Sequence, residues 1–229
     1  MANPPQSRPA TEAGGTTNTD LTATPRIPVV CVQAPFPDPP PACAPQRLGQ
    51  EAMHRHPGKV IWFTGLSGAG KSTLANGLAA TLHAQQRRSI ILDGDQLRRG
   101  LNSDLGFSTA ERIESMRRTM EVAKLMLDAG LVVLVALISP FRRERELARA
   151  LIGAENFLEV YVSTPLAICE QRDTKGLYAS ARSGKLTDMT GIDSAFEVPL
   201  APDVNLDCGT LSLQAAVTAL QAALTNTHQ

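Results

Sequence analysis

Val60-Ile-Trp-Phe-Thr64 leads directly into Gly65-Leu66-Ser67-Gly68-Ala69-Gly70-Lys71-Ser72-Thr73. The short apolar run reads as a buried strand and Thr73–Leu82 as a helix, so the glycines occupy the turn between them. Gly65, Gly70, Lys71 and Ser72 fit the phosphate-binding loop, or P-loop, G-x-x-x-x-G-K-S/T. Four fixed positions match by chance in on the order of one chain in a hundred, and the strand-to-helix context removes most such matches. Glycines let backbone N–H groups close around phosphate oxygens, and the helix N-terminus adds partial positive charge. Lys71 is then placed to reach β- and γ-phosphates, and Ser72 to offer a hydroxyl to Mg²⁺.

Outward from this loop, from Gly58 on, short apolar runs alternate with helical patterns, the sign of βαβ units around a parallel sheet buried on both faces. Five strands are expected: Val60–Thr64, Ser89–Asp93, Leu131–Ile138, Phe157–Val162 and Val204–Leu206. The fold class is three-layer α/β with a central parallel five-stranded sheet behind the P-loop. Ile113, Met116, Met120, Ala123 and Leu127 recur at steps of three and four and predict an amphipathic helix, with Gly130 as its C′ residue. Thr210–Leu224 reads as a closing helix. The segment at about 175–199 fits neither period; its length predicts a mobile lid, hinged at Gly176 and Gly184.

Composition bounds the rest. With 229 residues, 22 Lys+Arg and 22 Asp+Glu, the chain carries no net charge, which argues against a general polyanion binder and hence against nucleic acid as a partner. Leu131–Ile138 is the longest apolar run, too short to span a membrane, and the N-terminus has no secretory pattern, so a cytoplasmic location is expected. Cys31, Cys43, Cys169 and Cys208 form no CxxC pair and read as free thiols. Twelve of the 16 prolines precede Gly58. Residues 1–57 therefore read as a disordered Pro-rich extension, a tail or a polyproline docking segment, and 58–229 as the folded domain.

Leu92-Asp93-Gly94-Asp95 ends the second strand, and in open α/β sheets ligands sit beyond the carboxyl ends of the strands. One of Asp93 and Asp95 could orient Mg²⁺ or its waters and the other accept a proton from a hydroxyl; helix capping is the bland alternative. Arg98, Arg112, Arg117, Arg118 and Arg142 suggest an anionic acceptor held by forked hydrogen bonds. Ser139 ends the third strand on the same edge. Arg172, Lys175, Arg182 and Lys185 could bring charge over the phosphates as the lid closes.

From about Gly58 to Leu224 the chain resembles the adenylylsulfate (APS) kinases, on Gly65–Thr73 (GLSGAGKST), Leu92–Asp95 (LDGD), Asp104–Ser108 (DLGFS), Ile138–Arg142 (ISPFR), Cys169–Asp173 (CEQRD), Lys175–Tyr178 (KGLY) and Thr190–Asp193 (TGID). The resemblance implies a P-loop kinase fold and transfer of the γ-phosphate of ATP to the 3′-hydroxyl of adenylyl sulfate, with Mg²⁺ accompanying ATP. By the same resemblance Lys71 and Asp95 are catalytic, and Ser139 stands where the family has a serine sometimes described as a phosphorylated intermediate, a step that direct in-line transfer does not need. Arg98, Phe107, Arg112, Ser115, Ile138, Ser139, Lys175 and Met189 then face adenylyl sulfate, with Phe107 on its adenine. Arg172 and Cys208 lie near the adenine of ATP, and Ser72 and Asp93 near the metal. A homodimer and association with a sulfate-activating enzyme are open to such a chain. Gln96, Ser115 and Met189 depart from the family's usual Asn, Asn and Phe, which implies weaker or shifted acceptor binding. A kinase for another small hydroxyl compound, or a nucleotide-binding regulator with a drifted acceptor site, are the alternatives.

Overall fold

The computed structural model describes Met1 and residues 44–226. Five parallel strands, β1 (Lys59–Thr64), β2 (Ser89–Asp93), β3 (Val132–Ala136), β4 (Phe157–Val162) and β5 (Val204–Leu206), lie in the order β2-β3-β1-β4-β5. Register is set by pairs such as Ile61 with Leu134 on one side and Leu158 on the other. Alternation along each strand sends side chains to two separate cores. Ile61, Phe63, Leu134 and Val160 pack under α2 (Lys71–Ala84) and α8 (Leu213–Asn226), whereas Val60, Trp62, Val133 and Val135 pack under α4 (Thr109–Asp128) and α5 (Arg142–Ile152). This is the expected three-layer α/β sandwich. β3 is shorter than its apolar run, because residues 137–140 leave the sheet and form a wall of the cavity described below.

α4 shows why the helical pattern was readable. Ser108 accepts from the Glu111 amide while the Glu111 side chain accepts from the Ser108 amide, a reciprocal capping box. At the other end Gly130, at φ 76°, donates to Leu127 O and Leu131 donates to Met126 O, so the predicted C′ glycine closes a Schellman motif. Met116, Met120, Ala123 and Leu127 are buried as expected, but Ile113 is 39% exposed.

Two expectations need correction. The extension read as disordered through residue 57 contains a helix, α1 (Ala44–His54). It docks through polar groups: Arg47 donates to Asn156 Oδ1 at 2.6 Å, Glu51 accepts from the Gly58 amide at 2.8 Å, and His54 Nδ1 lies 3.1 Å from Gly130 O. Leu48 and Met53 are exposed, so a search for apolar periodicity misses this helix. The Pro-rich stretch before it, with Cys31 and Cys43, lies outside the described residues. Within 175–199, a short helix α7 (Leu177–Arg182) stands where no periodicity was seen, and Tyr178, Met189 and Thr190 are buried. Its N-terminus is held by Asp173, the C-cap residue of α6 (Leu166–Arg172), whose carboxylate accepts from the Tyr178 and Ala179 amides.

Candidate active site

The loop after β1 is shaped by two glycines. Gly65 has φ 149°, and a Cβ there would sit 2.5 Å from Val162 O; Gly70, at φ 113°, turns the chain into α2. Every carbonyl from Gly65 to Ala69 accepts a hydrogen bond. Lys71 Nζ donates to Gly65 O at 2.9 Å and Leu66 O at 2.6 Å, and the Tyr178 hydroxyl to Ser67 O at 2.8 Å. Arg172 donates to Gly68 O at 3.3 Å and Thr164 to Ala69 O at 2.8 Å. With the carbonyls held in this way, and the Gly65 and Ala69 amides donating to Ile138 O and Leu66 O, the amides of the first turn of α2 are the ones available to an anion.

Lys71 is 8% exposed. Burial, and after it the like charge of Lys175, lower its pKa to about 8. An unliganded loop thus penalises the lysine's charge, and a triphosphate restores it. Ser72 donates to Asp93 Oδ2 at 2.5 Å, while Asp93 Oδ1 accepts from the Asp95 amide at 2.9 Å and caps the short helix α3 (Gly94–Arg98). Capping and a place beside the P-loop hydroxyl therefore coexist in Asp93.

Beyond these carboxylates a cavity of about 790 Å³ runs across the carboxyl ends of the strands, at the upper end of the range for small-molecule sites. Its wall brings together Lys71, Asp95, Phe107, Ser139, Lys175 and Cys208, together with Arg98, Arg112, Ser115, Ile138, Arg172 and Met189. Lys175 is ion-paired with Asp95. Arg98 donates to Leu105 O and Gly106 O, and its guanidinium lies 4.1 Å from the Phe107 ring centroid, so one aromatic face is already covered. Arg112 donates to Phe107 O, to Thr190 Oγ1 at 2.8 Å and to Asp188 O, joining α4 to the 188–190 turn. Burial first, and then the charge of Arg112, weigh against the charge of Arg98. Such crowding of cations is relieved by an anionic ligand.

Three of the five arginines read as acceptor contacts are engaged elsewhere. Arg117 and Arg118 pair with Glu114, Arg118 also with Asp104, and Arg142 donates to Val198 O. None of the three lines the cavity. Arg182 pairs with Glu170. Burial pushes the Cys208 thiol up, away from a reactive thiolate; Arg172 donates to its carbonyl at 2.5 Å at the rim of the loop. Thr164, Tyr178 and Trp62, whose indole donates to Ser139 Oγ at 2.9 Å, were not anticipated as contributors. Only Tyr178 stood in a recognisable block.

A family model described as adenylylsulphate kinase matches residues 57–207, from the start of β1 past β5. The chain belongs to the adenylylsulphate kinase family. An adenylyl-sulfate kinase of Citrobacter koseri is 57% identical over 166 residues, covering 72% of this chain and 83% of the relative. One from Aeromonas salmonicida is 60% identical over 147 residues, covering 64% and 75%. The Mycobacterium tuberculosis APS kinase, solved in complex with AMPPNP and APS, superposes with a TM-score of 0.71 at 46% identity, covering 74% of this chain and 98% of that one. The matched span contains the P-loop, the paired aspartates and the cationic wall of this kinase domain. Among the described residues no helix is long and apolar enough to cross a membrane.

Proposed function

We propose that this kinase transfers the γ-phosphate of ATP to the 3′-hydroxyl of adenylyl sulfate, giving ADP and 3′-phosphoadenylyl sulfate. The observation that carries the reading is one cavity in which a phosphate-binding loop faces Asp95 and the cations Arg98, Arg112 and Lys175. The γ-phosphorus is attacked in line by the 3′-oxygen; the bond to the bridging oxygen of ADP breaks, and the hydroxyl proton passes to Asp95. Lys175 must leave Asp95 for that proton to be taken. Phe107, exposed and flanked by the guanidinium groups of Arg98 and Arg112, offers its ring to the acceptor's adenine. Ser139, Ile138, Ser115 and Met189 form the remaining acceptor wall, and Arg172 and Cys208 flank the adenine of ATP. Tyr178 ties α7 to the P-loop, so the part of 175–199 that closes begins after α7, at Gly184.

Ser72 and Asp93 suit Mg²⁺: a hydroxyl and a carboxylate are hard oxygen donors, and Mg²⁺ is commonly held by one or two protein oxygens together with phosphates. Among the described residues no cluster of three or more His, Cys, Asp or Glu would compete for it. When bound with ATP, the ion offsets charge on the phosphates.

A coupled assay with ATP, Mg²⁺ and adenylyl sulfate tests the reading against a panel of other hydroxyl acceptors. Idle adenylyl sulfate with brisk use of another acceptor replaces it with the neighbouring kinase class, and tight ATP binding without any transfer replaces it with the regulator. Light scattering of the full chain tests a homodimer, and co-purification with a sulfate-activating enzyme tests that association.

Two predictions arise from the site. With a free-enzyme Lys71 pKa of about 8, kcat/KM for ATP falls as pH rises through 8, because the neutral amine cannot offset phosphate charge. At saturating ATP the fall moves to higher pH, since the bound triphosphate favours the ammonium; identical profiles for kcat and kcat/KM would remove Lys71 as the titrating group. Met189 is 5% exposed and lines the acceptor wall. Met189→Phe adds a π-face, and stacking on a base is worth about 1–3 kcal/mol, so calorimetry should show adenylyl sulfate bound about tenfold tighter. An unchanged Kd means that Met189 does not stand at the stacking position.

A further inference from the structure

Ser139 has φ 47°, in the left-handed region that non-glycine residues seldom occupy, and it precedes Pro140, which itself disfavours helical backbone at that position. It is 2% exposed. Such a conformation persists only where neighbours impose it. Here the Ser139 carbonyl accepts from Arg145 Nη1 at 2.5 Å and from Thr64 Oγ1 at 3.2 Å, while its hydroxyl accepts from Trp62.

Arg145 does more than meet that carbonyl. It is 3% exposed, and its other nitrogens donate to Glu159 Oε1 on β4 at 2.8 Å and to Glu197 O at 2.7 Å. The segment it reaches is fastened along its length. Glu197 N donates to Pro140 O, Glu197 Oε2 accepts from the Arg142 amide at the start of α5, and Arg142 Nε donates to Val198 O, each at 2.8 Å. Further on, Asp203 accepts from Arg149 at 2.5 Å and from the Glu159 amide at 2.6 Å. A buried ion pair contributes little net stability, since desolvation offsets its attraction. What this one provides is geometry: a planar fork with three fixed directions, ending on the wall of the cavity, on the sheet and on the segment that follows the lid.

We propose that Arg145 is a positioning residue of the acceptor site, holding the Ser139 turn against the 197–203 segment and thereby setting affinity for the anionic acceptor. The inference rests on the reading that residues 137–140 face adenylyl sulfate. Lysine keeps the charge but lacks the fork, so Arg145→Lys relaxes the turn. The expected result is an acceptor KM raised by about tenfold, with the ATP KM within about twofold of the parent. Glycine adopts positive φ without help, so in a Ser139→Gly background the clamp has less to do, and the same Arg145→Lys change should raise acceptor KM less than about threefold. Titration of adenylyl sulfate in the presence of a non-hydrolysable ATP analogue gives the same comparison where turnover is too slow. If Arg145→Lys does not fold, Glu159→Gln, which removes the fork's carboxylate, replaces it in both backgrounds. Equal increases in the two backgrounds, or a parallel rise in both KM values, overturn the proposal. Arg98→Ala separates the two layers: if it also leaves the acceptor KM unchanged, the placement of adenylyl sulfate is at fault, and if it raises that KM while Arg145→Lys does not, only the clamp is.

Discussion

Lys71→Ala is expected to abolish measurable turnover, a loss of at least about 10³-fold in kcat, because it removes a buried, preorganised charge from the phosphate loop. The argument is one of position. Lys71 is held at the mouth of the loop by Gly65 O and Leu66 O, and the nearest alternative cation, Lys175, is committed to Asp95. No side chain already in place can deliver the missing ammonium to the transferring phosphoryl. The loop itself should persist, since Tyr178, Arg172 and Thr164 hold the carbonyls of residues 67–69 from outside. Nucleotide binding by the variant, followed by calorimetry, should therefore weaken less than turnover does. More than about a tenth of parental kcat would show that phosphoryl charge is offset elsewhere.

The same loop shows what a sequence displays and what it conceals. Glycines, lysine and serine are legible there because the chemistry fixes both residue type and spacing within a few positions, and the interior strands β1, β3 and β4 are legible because burial on two faces demands continuous apolar runs. Long-range polar partners leave no such trace. Arg117 and Arg118 resemble acceptor contacts in a string of letters, yet Glu114, one turn away, and Asp104 take them up. Arg145, by contrast, looks like one more charge on a surface helix, and its partners at 139, 159 and 197 are scattered along the chain. α1 was missed for a related reason: it docks through polar residues, Arg47 to Asn156 and His54 to Gly130 far along the chain, with Glu51 bonded to the nearby Gly58 amide. Periodicity reports burial of apolar surface and is silent on buried hydrogen bonds. The resemblance supplied the expected acceptor residues, Arg98 and Arg112 among them, and in the structure these two line the cavity while Arg117, Arg118 and Arg142 do not.

Asp95→Asn is expected to lower kcat by about 10²–10⁴-fold with the ATP KM nearly unchanged, the range for removing a positioned general base. Asparagine matches aspartate in size and still accepts a hydrogen bond, but it cannot take the proton of the 3′-hydroxyl. Asp95 also holds Lys175, so the substitution frees that lysine, and a fall in kcat could be laid to a misplaced cation. Lys175→Met separates the two roles. It releases the same ion pair while keeping the carboxylate, and it should raise acceptor KM while leaving kcat within about tenfold of the parent. Were the two variants to lose kcat equally, the pair itself, rather than the carboxylate as proton acceptor, would be the catalytic element. A kcat for Asp95→Asn within about tenfold of the parent would instead mean that the hydroxyl proton leaves only after phosphoryl transfer is well advanced, as a loose, metaphosphate-like transition state permits.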